Sequence, residues 1–167
     1  MSERLTHTYI QGATGETDIP ECLAQWTFDE KKDTLVADKG DLEMVPGKMS
    51  GSSFSNKKVV SKAEMTYIAG PTEENGALHI PKGSAFRIMN KKMNSYTIML
   101  DLRIPDYKFR ALLQTNRLHD DDADIFINQA GGIGVGDMGY GGQMALNEWH
   151  RVVISTKEGR PTIYLDG

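Results

Sequence analysis

Apolar residues recur at every second position in several short stretches of this chain, and almost nowhere at helical spacing. In TIMLDLRIPD, Ile98, Leu100, Leu102 and Ile104 share one face, while Thr97, Met99, Asp101 and Arg103 share the other. Such alternation predicts a half-buried strand, stopped by Pro105. AQWTFDE turns Ala24, Trp26 and Phe28 inward. ALHIPKGSAFRI gives two short strands carrying Leu78/Ile80 and Phe86/Ile88, turned through Pro81-Lys82-Gly83. Ile125 and Ile127 share a face in ADIFIN, as do Ile133 and Val135 in GGIGVG, Val152 and Ile154 in WHRVVIST, and Ile163 and Leu165 in PTIYLDG.

Many short strands punctuated by Gly, Pro, Asn and Asp, with no helices between them, predict an all-β fold with two packed antiparallel sheets. Residues 1–22 read as a polar arm or a loosely held strand, and 23–167 as one domain. Residues 46–76, rich in Ser, Lys, Gly and Asn, read as long loops around one or two weak strands.

The length of 167 residues suffices for a core without staples, and hydrophobic residues make up 39%, so neither disorder nor a membrane helix is implied. The net charge of −4 is mild, and the lysine pairs 31–32, 57–58 and 91–92 are separated by acids. No continuous basic stripe exists for a nucleic-acid backbone. A lone cysteine, Cys22, excludes an internal disulfide and a multi-cysteine zinc site; with no cation beside it, it is expected to pack rather than react. The opening MSERLTHTYIQG lacks the apolar stretch of a signal peptide.

The order of the segments carries a resemblance. LAQWTFDE, a D-x-G stretch at Asp38–Gly40, GALHI, SYTIMLDLRIPD, LLQT and NEWHRVVISTKEGRPTIYLDG together resemble the laminin G-like, concanavalin A-like jelly roll over residues 23–167. The resemblance implies a two-sheet antiparallel jelly-roll sandwich. It also implies a non-catalytic, lectin-like module that binds a glycan or a protein, with a purely structural or oligomerising domain as an alternative. Domains of this kind often stand before phosphoesterases or glycoside hydrolases in secreted bacterial proteins. An extracellular, cell-surface or periplasmic setting, and an attached catalytic domain, follow as expectations. In that family further strands follow the YLDG hairpin, so a sandwich short of its C-terminal strands is expected, completed by a second chain or by more of the same one.

Candidate chemistry is sparse. Asp120, Asp122 and Asp124 point the same way in an extended chain, about 6.6 Å apart along it, too far to share one ion unless the backbone bends. Their place at a loop-to-strand junction allows that bend, and an oxygen-rich set suits calcium better than zinc. GETDIPE carries Glu16, Asp18 and Glu21 in the E-x-D-x-x-E pattern of jelly-roll glucanases, which would make a retaining glycosidase. Its place before the first strand, and Pro20 within it, weigh against that use.

GGIGVGDMGYGG contains a loose G-x-G-x-x-G with no helix after it, so its glycines are expected to let strands approach closely rather than to cradle phosphate. Tyr140, between Gly139 and Gly141, is the candidate ligand-stacking aromatic, on a flexible tip. Trp26 and Trp149 are expected in the core. His79 and His150 are expected at the surface or in hydrogen bonds. No nucleophile elbow or H-E-x-x-H exists, so no catalytic residue is assigned.

Overall fold

The structure, a computed structural model, describes residues 21–28, 36–50, 53–55, 66–89, 95–114 and 125–167. Within them the protein is all-β, as the alternation predicts, with antiparallel pairing throughout, one 3-10 turn at Gly136–Met138 and no α-helix. The strands are β1 (Ala24–Gln25), β2 (Lys39–Gly40), β3 (Glu43–Ser50), β4 (Ser53–Ser55), β5 (Thr66–Ala69), β6 (Gly76–His79) and β7 (Ser84–Met89). They continue as β8 (Tyr96–Arg103), β9 (Arg110–Leu113), β10 (Ile125–Ile127), β11 (Ile133–Val135), β12 (Gly139–Gly141), β13 (Trp149–Lys157) and β14 (Arg160–Leu165).

Two sheets make the core. In one, the order is β14-β13-β8, and Val152 and Ile154 lie opposite Leu100 and Ile98. The other is a meander in the order β12-β11-β10-β9. Their inner faces meet in a single cluster built on Ile104, Ile125, Ile127, Ile133, Met144, Val152 and Ile154. Ile98, Leu100, Leu102, Ile163 and Leu165 pack against it from the first sheet, and Leu112, Leu113 and Val135 from the second. The even-numbered apolar positions of β8 all fall on the buried side, which is the period-2 rule in operation. KEGRPTIYLDG forms the expected hairpin arm, closing at Lys157↔Arg160 with Ile163 and Leu165 turned inward. Full burial of an aliphatic side chain contributes about 1.5–3 kcal/mol, so residues such as Val152 and Ile154, at 0% exposure, dominate stability.

The earlier strands depart more from expectation. The AQWTFDE strand reduces to Ala24–Gln25, because Phe28 takes a left-handed φ of 54° that ends extension; Trp26 and Phe28 are only half-buried. Asp38 holds this corner, its carboxylate accepting from the Thr27 N–H and hydroxyl at 2.6 Å each. Gly40 closes the D-x-G stretch at φ 83°, and a side chain there would strike the Leu23 carbonyl. Pro81-Lys82-Gly83 does make a turn, with the Ser84 N–H donating to the Pro81 carbonyl at 3.1 Å. Its flanking strands do not pair with each other: β6 pairs with β5, and β7 with β3. Ile80 falls just past β6 and is 48% exposed, contrary to its expected place in the core.

β3 begins ahead of residues 46–76 and runs into them, the stretch expected to hold long loops around one or two weak strands; Pro46 and Gly47 break its apolar pattern. Proline is tolerated there because the β4 ladder begins only at Lys48, so Pro46 faces β7 alone among the described strands. Cys22 is exposed rather than packed.

Candidate functional site

Asp120, Asp122 and Asp124, with Glu16 and Asp18, lie outside the described residues; Glu21 is exposed ahead of β1. Among the described residues, no group of three His, Cys, Asp or Glu side chains is arranged to hold a metal ion. No described helix is long and apolar enough to cross a membrane.

Tyr140 is described, and it is not on a free tip. It is the middle residue of β12, half-buried, opposite Gly134 of β11. The ladder continues from Gly134 to Phe126 of β10 and from Phe126 to Ala111 of β9. Ile125 and Ile127 face the core, so Phe126 between them faces outward, yet only 7% of it is exposed. Its cover is aromatic. The Phe109 ring lies 4.9 Å from Phe126, tilted 35°, and meets Tyr140 edge-on at 6.4 Å between centroids. These distances are those of favourable aromatic packing.

Gly134 makes the arrangement possible. Its α-carbon lies so close to β12 that a side chain would strike the Gly139 carbonyl, and its bareness leaves a floor between two rings. The expectation that these glycines bring strands together holds here. Phe109 remains 54% exposed and caps the shelf.

A polar group lies beside it. Asn128 shapes the β10–β11 turn, its Oδ1 accepting from the Ala130 N–H at 2.8 Å and the Gly132 N–H at 2.9 Å. The Asn128 amide and the Tyr140 Cβ both lie close to Gly132, which places the amide next to the base of the Tyr140 side chain. Sequence inspection found Tyr140 and missed its partners. The available signal was Phe126, an aromatic at an outward position of an otherwise regular strand.

The WHR and YLDG motifs meet in a second cluster. His150 lies on the core-facing side of β13 with Val152 and Ile154, is 8% exposed, and is buried rather than superficial. Its Nδ1 is 2.7 Å from Asp166 Oδ2, and its Nε2 is 2.9 Å from the Ala145 nitrogen. The Ala145 N–H therefore donates to Nε2, and Nδ1 carries the proton given to Asp166; the Ala145 carbonyl, at 3.3 Å, suits only the other tautomer and is the weaker contact.

Asp166 Oδ1 accepts from the Arg151 N–H at 2.8 Å, and the Asp166 N–H donates to the Arg151 carbonyl at 2.9 Å. The His150 hydrogen bond holds the Asp166 carboxyl below the usual carboxylate range, with the Arg151 N–H assisting. Both ring nitrogens are engaged, so this His–Asp pair ties strands together and has no lone pair left for general-base work.

Trp149 points away from the core, where the Arg103 guanidinium sits 5.2 Å from its ring; its core placement is corrected accordingly. Beside them Arg151 donates through Nε and Nη2 to the two oxygens of Asp101, at 2.7 Å each.

Fold and site define an antiparallel β-sandwich with an aromatic shelf on one outer face. No protein-family model, curated protein or solved structure matches the chain.

Proposed function

We propose that the protein is a non-catalytic, lectin-like binding module of the jelly-roll type that takes a glycan on the Phe109–Phe126–Tyr140 shelf. The exposed Phe109 ring over a buried Phe126, beside Tyr140, supports this most directly. A pyranose ring presents an apolar face suited to an aromatic surface and a rim of hydroxyls that the Asn128 amide can engage. A secreted or surface setting, beside a hydrolase domain, belongs to the same proposal, as does calcium held by Asp120, Asp122 and Asp124.

A glycan array with and without calcium tests it. Binding to at least one oligosaccharide is expected, weakened at least about tenfold by Tyr140→Ala, the loss of roughly one aromatic contact of 1.4 kcal/mol. Millimolar calcium is expected to raise the melting temperature, and Asp122→Ala to remove that rise, since an ion bound only by the folded state stabilises it. No binding to any glycan under either condition would overturn the glycan reading in favour of a protein ligand.

A further inference from the structure

We propose that Asn75 is a site of spontaneous covalent modification, where the Gly76 backbone nitrogen attacks the Asn75 side chain and the asparagine becomes isoaspartate and aspartate. The inference is independent of the glycan shelf. It rests on the end of the β5–β6 hairpin, where the turn carries the chain's one Asn-Gly pair in PTEENG.

The reaction needs a side-chain amide open to solvent, a following residue that does not crowd the attack, and a backbone nitrogen not already committed to a ladder. Asn75 is exposed, with Thr72, Glu73 and Glu74 exposed beside it. Gly76 has no Cβ to obstruct the approach. The ladder meets the third need. The Gly70 N–H donates to the Asn75 carbonyl at 2.9 Å, so residues 70 and 75 form a bonded rung. The next pair, Ala69 opposite Gly76, therefore falls between bonded rungs, and the Gly76 N–H points away from β5.

The turn itself is lightly held. The Asn75 N–H reaches the Thr72 carbonyl at 3.2 Å, and burial on β6 begins only at Ala77, 8% exposed. Opening the last rung breaks backbone bonds that water replaces and uncovers no residue of the central cluster, so it is far easier than global unfolding. Such an opening lets the Asn75 backbone rotate until Cγ stands over the Gly76 nitrogen.

The Gly76 nitrogen then bonds to the Asn75 Cγ, the Cγ–Nδ2 bond breaks, and ammonia leaves with the proton that the Gly76 nitrogen gives up. Water opens the resulting succinimide, its hydroxyl going to a carbonyl carbon and its hydrogen back to the Gly76 nitrogen. Opening at Cγ gives aspartate. Opening at the backbone carbonyl carbon gives isoaspartate, in which the chain runs through the side chain and is longer by one carbon. Either product sets a new carboxylate beside Glu73 and Glu74, and isoaspartate also takes the Gly70 N–H acceptor out of register.

The test is to hold the full 167-residue chain at physiological temperature and mildly alkaline pH, then digest it with trypsin. In the peptide ending at Lys82, Asn75 is the only Asn or Gln, so a mass gain there locates the change. Enzymatic methylation of isoaspartate separates the two products. Both are expected to accumulate at position 75 of the folded chain, at a rate unchanged by urea below the unfolding transition, and to be lost in Asn75→Gln. Asn147, exposed but followed by Glu148, should stay intact over the same period. An Asn75 that survives in the folded chain for the time in which the urea-unfolded chain converts overturns the proposal. So does a rate that climbs in step with the unfolded fraction, or aspartate formed without isoaspartate.

Discussion

The described residues from 96 onward and the described residues before them are built from the same antiparallel ladders, but they bury very different amounts. Every member of the central cluster comes from residue 98 onward, whereas the earlier strands contribute only Met44 and Ala77 to the buried apolar set. β8 and β13 pair over eight consecutive positions, Tyr96–Arg103 against Trp149–Thr156, and both strands put aliphatic residues on the shared inner face. β3 pairs with β7 over six positions, but its neighbours Val36 and Ile88 are 66% and 44% exposed. Hydrogen-bonded ladders alone add little net stability, because they replace bonds to water; buried apolar area decides. Among the described residues, the strands from β8 onward therefore carry most of the buried apolar area and are expected to be the more stable.

The largest expected effect separates the halves. Ile154→Ala should cost about 2–5 kcal/mol and bring the protein close to unfolding, while Met44→Ala should cost roughly 1–2 kcal/mol, because its surroundings can relax. Urea titrations of the two variants make the comparison. Equal losses would dissolve it.

Next comes the tie between the strand ends. His150→Ala orphans the Ala145 N–H and strips Asp166 of a partner, an expected loss of about 1–3 kcal/mol. The Asp166 carboxyl has a folded pKa below its unfolded value. Its contribution is thus fully present above the ordinary carboxylate range and is lost as pH falls through the lowered folded pKa. The side chain is half-exposed, so the size is below about 1 kcal/mol. Asp166→Asn should accordingly be less stable than wild type at neutral pH, with the difference shrinking on acidification; a difference that widens in acid would contradict the assignment.

The smallest effect is expected at the surface pair. Arg151→Ala breaks the bidentate contact with Asp101 and should cost no more than about 1 kcal/mol, less still at high salt.

The same contrast governs what the sequence discloses. In β8, β10 and β13 the middle of the inward face is Ile, Leu or Val at strict two-residue spacing, so strand and face follow together. His150 has that same parity with Val152 and Ile154, so its burial was legible in its spacing, and of the two roles expected for it, surface or hydrogen-bonded, the second holds. β3 was not legible, because its Pro46-Gly47 interruption is accommodated where, among the described strands, only β7 pairs with it, a fact of topology. Ile80 misled for a related reason: alternation continues one residue past the end of β6. The shelf needs Phe109, Phe126 and Tyr140 from three strands or strand ends, and single-strand periodicity carries no information about that convergence.

Native-state hydrogen exchange tests the localisation of stability most directly. The amides of Val152 and Ile154 in β13 should exchange only through global unfolding, and those of Val45 and Arg87 in β3 and β7 through smaller, earlier openings. Protection in β3 and β7 equal to that in β13, falling together as denaturant is added, would contradict a stability centred, among the described strands, on those from β8 onward.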